Sequence, residues 1–375
     1  MTTKEIGELK RRLKIDRTNL TAVYGCYVSG GGEILSQFRQ GFGPMAEEDK
    51  EKYLAIFRRV LSGGLDKNLL DLSFSTSQVA DSDEHRLLMR LRDSALEDDE
   101  ARQALYEAVI SGVHFEDNYL ILLAHENYDV PFKARDGAVL DDGSAVFSYF
   151  LCAVCPVRPG KEALSYDAEE KQFHNRTPGW AASMPEAGFL FPAFDARRSN
   201  LYNCLFYTKS AKDNHPELAQ ALFRLQTPPP FDDQRGLFAG ILHETLAEDC
   251  SLELVQQVQE ALSQRIEVHK QAAQDEPLSV DAADMKEVLE AAGVPEEKRL
   301  AFGAKFEEAF GVNAAMNPKN LLETAKTQLK TPDVVISVAK DRQDLVQTRT
   351  LGGVKYLLIR AEEGVSLNGV ELSVD

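Results

Sequence analysis

Asn118-Tyr119-Leu120-Ile121-Leu122-Leu123-Ala124-His125 is a run of almost unbroken apolar and aromatic character, and it does not stand alone. Ala145–Val157, Gly188–Phe194 and Leu201–Thr208 repeat its character, with Gly, Pro, Asp and Asn between them. β-Branched and aromatic residues bounded by turn formers predict strands. No helix-length segment separates most of these runs, so the strands are expected to pair antiparallel. The fold class that follows is α+β, a mainly antiparallel sheet with flanking helices.

Working outward, Thr2 and Glu5 have capping-box spacing before Ile6, Leu9 and Leu13, which predicts a helix over 3–14. Leu20–Ser29 and Glu33–Arg39 flank Gly30-Gly31-Gly32 and read as a hairpin. Helices are expected over Ala46–Leu61, 76–93 and 98–112, with a strand at Leu69–Ser75. Helical periodicity returns at Leu218–Leu225, Asp233–Ala247 and Leu252–Ala272. The polar stretch Lys270–Pro277 resembles neither neighbour and reads as a linker. The expected organisation is a main domain over 1–270, with a helical and hairpin part (1–115), a sheet-rich part (116–210) and a helical part (211–270). A small C-terminal α+β module follows over 278–375, with helices at 281–292 and 295–310 and strands at Val334–Val338, Val354–Arg360 and Val365–Val374.

Charge narrows the function. The 375 residues carry 42 Lys+Arg against 60 Asp+Glu, a net charge of −18. Residues 1–270 hold 30 and 42 of these, and residues 271–375 hold 12 and 18, so the acidity coats both parts. Such a surface repels phosphate backbones and argues against nucleic-acid binding by the body of the protein. The first twenty residues are the exception. Lys10, Arg11, Arg12, Lys14 and Arg17 form a candidate docking patch for an anionic partner. No apolar run is long enough to span a bilayer, so no membrane is expected. The N-terminus shows no signal-peptide pattern and the five cysteines do not suggest a disulfide framework, so cytoplasmic residence is expected.

Motifs with defined chemistry are mostly excluded. Glu33 follows the glycine run where a phosphate cradle needs a helix N-terminus, so that run is read as a turn. Cys152 and Cys155 sit in an apolar strand at an offset that puts them on opposite faces, and are read as core residues, not metal ligands. No HExxH or GxSxG occurs, and neither a cofactor nor a metal is expected. A second helix carrying Glu296, Glu297, Glu307 and Glu308 is unsuited to a DNA groove. One constellation invites more. His125 and Asp129 are expected to close a strand, His174, Asn175 and Arg176 to precede another, and Asp195, Arg197 and Asn200 to join two more. Polar groups gathered at strand ends could supply a base, an orienting carboxylate and an anion holder. The alternative is that the last three simply cap a turn.

Several segments together resemble a known family. They are Gly25-Cys26-Tyr27-Val28, Asn118–His125, Tyr128-Asp129-Val130-Pro131-Phe132-Lys133 and Leu164-Ser165-Tyr166-Asp167, with Gly188–Asp195 and Arg197, and Lys330-Thr331-Pro332-Asp333-Val334-Val335-Ile336. In that order they resemble the domain-of-unknown-function family 4317, found in Gram-positive, mostly clostridial, bacteria. The resemblance spans essentially the whole chain and takes in His174-Asn175-Arg176, Asn200 and Asn203. It implies a bacterial cytoplasmic protein and assigns no activity. The leading expectation is a non-catalytic interaction or regulatory protein with a protein partner. An enzyme, hydrolytic or phosphate-directed, built around His125, His174 and Asp195 is the alternative. A translation- or nucleoid-associated factor docking through the basic first helix is the third.

Overall fold

The computed structural model describes residues 1–133, 139–160, 163–167, 171–176, 179–272, 278–311, 314–322, 326–339, 342, 345–361, 364–367 and 370–372. The chain divides into two compact units, the first Met1–Phe231 and the second beginning at Asp232.

The first unit runs α1 (Thr3–Arg12), β1 (Ala22–Val28), β2 (Ile34–Gly41), α2 (Glu47–Val60), β3 (Leu69–Ser73), α3 (Thr76–Asp81), α4 (Asp83–Asp93) and α5 (Asp99–Gly112). It continues with β4 (Tyr119–Lys133), β5 (Val139–Pro159), β6 (Ala163–Asp167), β7 (Gln172–Arg176), β8 (Trp180–Ala182), β9 (Ala187–Phe191), β10 (Ala193–Asp195), β11 (Arg198–Asn200), β12 (Asn203–Thr208) and α6 (Pro216–Phe223). The main sheet has the order β2-β1-β4-β5-β9-β12-β3, with β8 also on β5. Every pairing in it is antiparallel, as the sequence predicts. The fold is α+β.

Both faces of the sheet are covered, which explains why its strands read as continuous apolar runs. Along β5, Phe150, Cys152 and Val154 enter one core with Leu91 of α4, Tyr106 of α5 and Phe223 of α6. The alternate residues Tyr149, Leu151, Ala153 and Cys155 enter the other, with Leu9 of α1 and Phe57 of α2. Cys152 and Cys155 therefore lie in different cores. The Thr2/Glu5 capping box starts α1. The glycine run is a turn: Gly30 N–H donates to Asn118 Oδ1 at 3.1 Å and Gly32 takes φ +83°.

The sheet-rich part departs from expectation at the polar segments: His174–Arg176 lie in β7, Asp195 and Asn200 belong to the β10–β11 hairpin, and His125–Asp129 lie within β4. β4 and β5 keep pairing beyond the last contacts of β1, at Ala124, and of β9, at Phe150. His125 and Asp129 thus lie inside a strand, not at its end. Polar residues are tolerated there because the segment is amphipathic: Glu126, Tyr128 and Val130 are buried, while Asn127 and Asp129 are exposed.

The second unit holds α7 (Phe231–Leu246), α8 (Leu252–Gln271), α9 (Ala282–Ala291), α10 (Glu296–Phe310) and α11 (Pro318–Leu321). Three two-stranded ribbons follow: β13 (Lys326–Lys330) with β14 (Val335–Ala339), β15 (Val346–Leu351) with β16 (Val354–Ile359), and β17 (Val365–Leu367) with β18 (Val370–Leu372). Phe238 and Leu242 of α7 and Leu262 of α8 share one core with Met285 and Leu289 of α9 and Phe302 and Phe306 of α10. The unit boundary accordingly falls at Phe231/Asp232, ahead of the Lys270–Pro277 stretch expected from composition. Residues 273–277 of that stretch lie outside the described residues.

Candidate functional site

The sequence-derived candidates are distributed, not gathered. His125 is half-buried on β4, its Nε2 2.9 Å from Ser148 Oγ. Burial, with a smaller contribution from the Arg92 guanidinium, holds its pKa below the usual imidazole range. Its alternate neighbours point the other way. Tyr128 donates its hydroxyl to Glu8 Oε1 at 2.6 Å, and Arg197 reaches the same oxygen at 3.0 Å. His125 and Arg197 therefore occupy opposite faces of the strand, so the two do not form one acid–base pair. Asp195 and Asn200 bond each other at 3.3 Å across the β10–β11 hairpin, whose turn places Ala196 and Arg197 at φ +46° and +57°. Asp129 is exposed. His174, Asn175 and Arg176 belong to β7, and their side chains lie outside the described residues.

The basic patch on α1 is partly consumed inside the fold. Glu126, 1% exposed, accepts from Arg12 Nη2 at 2.9 Å, Tyr149 Oη at 2.8 Å and the Asn19 N–H at 3.1 Å. The Arg12 guanidinium also stacks 4.8 Å above the Tyr128 ring. Arg12 is a fastener between α1 and β4. Arg11, Lys14 and Arg17 are exposed and Lys10 half-exposed, so these four remain at the surface.

Nucleophilic and metal chemistry find little to work with among the described residues. All five cysteines are free thiols. Burial pushes Cys26 up to about 11 and Cys155 up to about 12, which suppresses the reactive thiolate. No group of His, Cys, Asp and Glu among the described residues could hold a metal ion.

Two of the depressions lined by described residues lie in the first unit. A polar cleft of about 430 Å³ lies where β5, β9 and β12 meet the ends of α5 and α6, and includes His114 and His215. Its cations are already matched on its own rim, Arg158 to Asp117 at 2.9 Å and Lys209 to Glu186 at 2.7 Å. His215 Nδ1 stands 3.6 Å from Asp213 Oδ2, and its Nε2 is buried without a hydrogen-bond partner. His114 stands exposed in this cleft, but the lining cations Arg158 and Lys209 are both paired and leave no free anion holder beside it, so the cleft offers weak grounds for catalysis.

The larger depression is a groove of about 620 Å³ on the opposite face of the sheet from α4–α6. Leu120 and Leu122 of β4 lie along it, with Tyr53, Ala55 and Ile56 of α2 on one side and Ala181, Ala182 and Met184 on the other. Gln40, Asp49 and Lys52 add polar groups, and Tyr53 donates to Gln40 Oε1 at 3.1 Å. Burial, helped by the charge of Asp49, raises the Tyr53 phenol above its usual range and keeps it a neutral donor. Exposed apolar side chains flank it: the lining residue Met184 is 50% exposed, and Trp180, next in sequence to Ala181, is 65% exposed. The geometry comes from two elementary patterns. Leu54, Phe57 and Val60 bury one stripe of α2, which leaves Tyr53 and Ile56 on its flank. Leu120 and Leu122 share a face of β4 because they are two residues apart. No motif or periodicity in the sequence marks this site. Its signal in the sequence is Trp180 and Met184, large apolar residues between Pro178-Gly179 and Pro185 with no periodic partner.

The family model for the domain of unknown function DUF4317 matches residues 1–370, and the chain belongs to that family. Neither the search of curated proteins nor that of solved structures found a match. No helix among the described residues is long and apolar enough to cross a membrane.

Proposed function

We propose that this DUF4317 member is a cytoplasmic interaction protein whose groove between α2 and Ala181–Met184 docks an apolar segment of a protein partner. One observation carries the reading: a mainly apolar groove of about 620 Å³ whose lining includes half-exposed Met184, with exposed Trp180 next to it in the chain. Apolar surface that extends beyond an enclosed pocket suits a macromolecular ligand, because exposed patches of this kind mark protein contacts. The polar groups along it, Gln40, Asp49 and Lys52, would fix orientation while the leucines and Ile56 supply burial.

Trp180 is the sole tryptophan and adjoins the groove residue Ala181 in the chain, so its fluorescence reports on the surroundings of the groove. The full chain, immobilised, is used to capture partners from lysate alongside two variants, Ile56→Glu/Met184→Glu and Arg11→Glu/Lys14→Glu. The expected result is a stoichiometric partner held by the parent and the second variant and lost by the first. Addition of that partner should blue-shift the Trp180 emission. An identical set of captured proteins from all three chains sinks the reading.

A further inference from the structure

In the second unit, β15 and β16 form an antiparallel ribbon closed by Gly352 and Gly353, both at positive φ. Its register places Val346, Thr348 and Thr350 on one face, opposite Ile359, Leu357 and Lys355. The other face carries Gln347, Arg349 and Leu351 opposite Leu358, Tyr356 and Val354. The first face meets α8 at one end only: Val346 is buried and Thr348 donates to Glu253 Oε1 at 3.0 Å, while Ile359 and Lys355 on the same face are exposed. The second faces solvent, with Leu351, Val354, Tyr356 and Leu358 all exposed.

Three facts about this ribbon point in one direction. An isolated two-stranded ribbon is marginal in water, and a third strand is its simplest stabiliser. Among the described residues no further strand pairs with either edge, so N–H and C=O groups are offered along both. The strands 346–351 and 354–359 carry Arg349 and Lys355 and no Asp or Glu, in a chain of net charge −18, with Asp344 before them and Glu362-Glu363 after. This is a local reversal of sign on a strand template with an apolar face. We propose that the β15–β16 ribbon captures, by strand addition, an extended segment of a protein partner that alternates apolar and acidic residues. Main-chain hydrogen bonds supply the pairing, Leu351, Val354, Tyr356 and Leu358 take the apolar side chains, and Arg349 and Lys355 select against basic segments. This surface belongs to a different unit from the groove, and neither proposal depends on the other.

The test uses the full chain and two labelled eight-residue peptides, one alternating Val and Glu, the other alternating Val and Lys. Fluorescence anisotropy is read at 50 and 300 mM salt, and hydrogen exchange is followed over 346–351 and 354–359. The acidic peptide is expected to bind, to protect those amides, and to weaken as salt rises. Arg349→Glu/Lys355→Glu should weaken it at least tenfold with an unchanged melting temperature, since both side chains are exposed. The basic peptide should bind at least tenfold more weakly than the acidic one. Equal binding of both peptides, no binding of the acidic one, or protection elsewhere overturns the proposal. So does binding of anionic phosphatidylserine vesicles or of single-stranded RNA through Arg349 and Lys355 in place of the peptide.

Discussion

Replacing Arg12 by Met separates the two roles that a basic first helix could have. The guanidinium lies 2.9 Å from Glu126, a carboxylate 1% exposed on β4. Removing one partner of a buried pair costs about 3–5 kcal/mol, since the other charge stays buried and uncompensated. Two features move the value to the low end. Arg12 is itself 21% exposed, and Tyr149 Oη and Asn19 N–H still donate to Glu126. Met keeps the aliphatic stem over Tyr128 but loses the cation–π contact, about 0.5–1 kcal/mol. The total is roughly 3–4 kcal/mol, which for a unit of this size corresponds to a drop in melting temperature of about 10 °C. The comparison chain is Lys10→Gln/Arg11→Gln/Lys14→Gln/Arg17→Gln, whose side chains make no buried pair; its change should stay within about 1–2 kcal/mol. Arg12→Met/Glu126→Gln should recover part of the loss, because the neutral amide removes the uncompensated charge while its carbonyl oxygen can still accept from Tyr149 Oη or the Asn19 N–H. Thermal unfolding followed by far-UV circular dichroism measures all three, and hydrogen exchange over Thr3–Arg12 shows whether α1 is what loosens. An unmoved transition in Arg12→Met, or an equal loss in the four-fold variant, would refute the assignment of Arg12 as a fastener.

Further outcomes follow from local geometry. Gly188→Ala would bring a Cβ to 2.4 Å from the Cys152 carbonyl oxygen and 2.9 Å from Val60, so overpacking of about 3 kcal/mol is expected in urea unfolding. Gly236→Ala in α7 meets nothing within 4 Å and should instead stabilise by up to about 1 kcal/mol; matching signs in the two variants would contradict these contacts. The His125 pKa is lowered on folding, so below about 6.5 the unfolded chain binds more protons and stability falls with pH. His125→Gln should remove that component, and the parent-minus-variant difference in urea midpoint should shrink between pH 7.5 and pH 5.5. Alkylation of the native chain at pH 8, read by peptide mass spectrometry, should reach half-buried Cys250 first; equal labelling of Cys152 would show that its core opens freely.

The sheet was legible because burial on both faces leaves a plain mark. Once Phe150, Cys152 and Val154 serve one core and Leu151, Ala153 and Cys155 the other, every position must be apolar, and the strand reads without alternation. Helices were legible for the complementary reason: one stripe faces the sheet, and Thr2 with Glu5 marks the first start. The unit boundary was harder. Helices α7 and α8 look alike in sequence to those before them, and only the shared core of Phe238, Leu262 and Phe302 assigns them to the second unit.

The candidate site was the least legible part, for a reason that the segment His125–Asp129 makes concrete. A polar run after an apolar one normally ends a strand. Here β4 continues, because Glu126 and Tyr128 find Arg12, Tyr149 and Glu8 as partners on the α1 side while Asn127 and Asp129 meet water. The charges that suggest chemistry in one dimension are, in three, the means by which a helix is attached to a strand. Conversely, the groove is assembled from Ile56, Leu120 and Met184, residues that carry no reactive group and come from three separate segments. Titratable motifs draw attention in a sequence regardless of their partners, whereas an apolar docking surface exists only through its tertiary neighbours. For this chain, the informative sequence feature was therefore an apolar residue without a periodic partner, as Trp180 and Met184 are, more than any histidine or carboxylate.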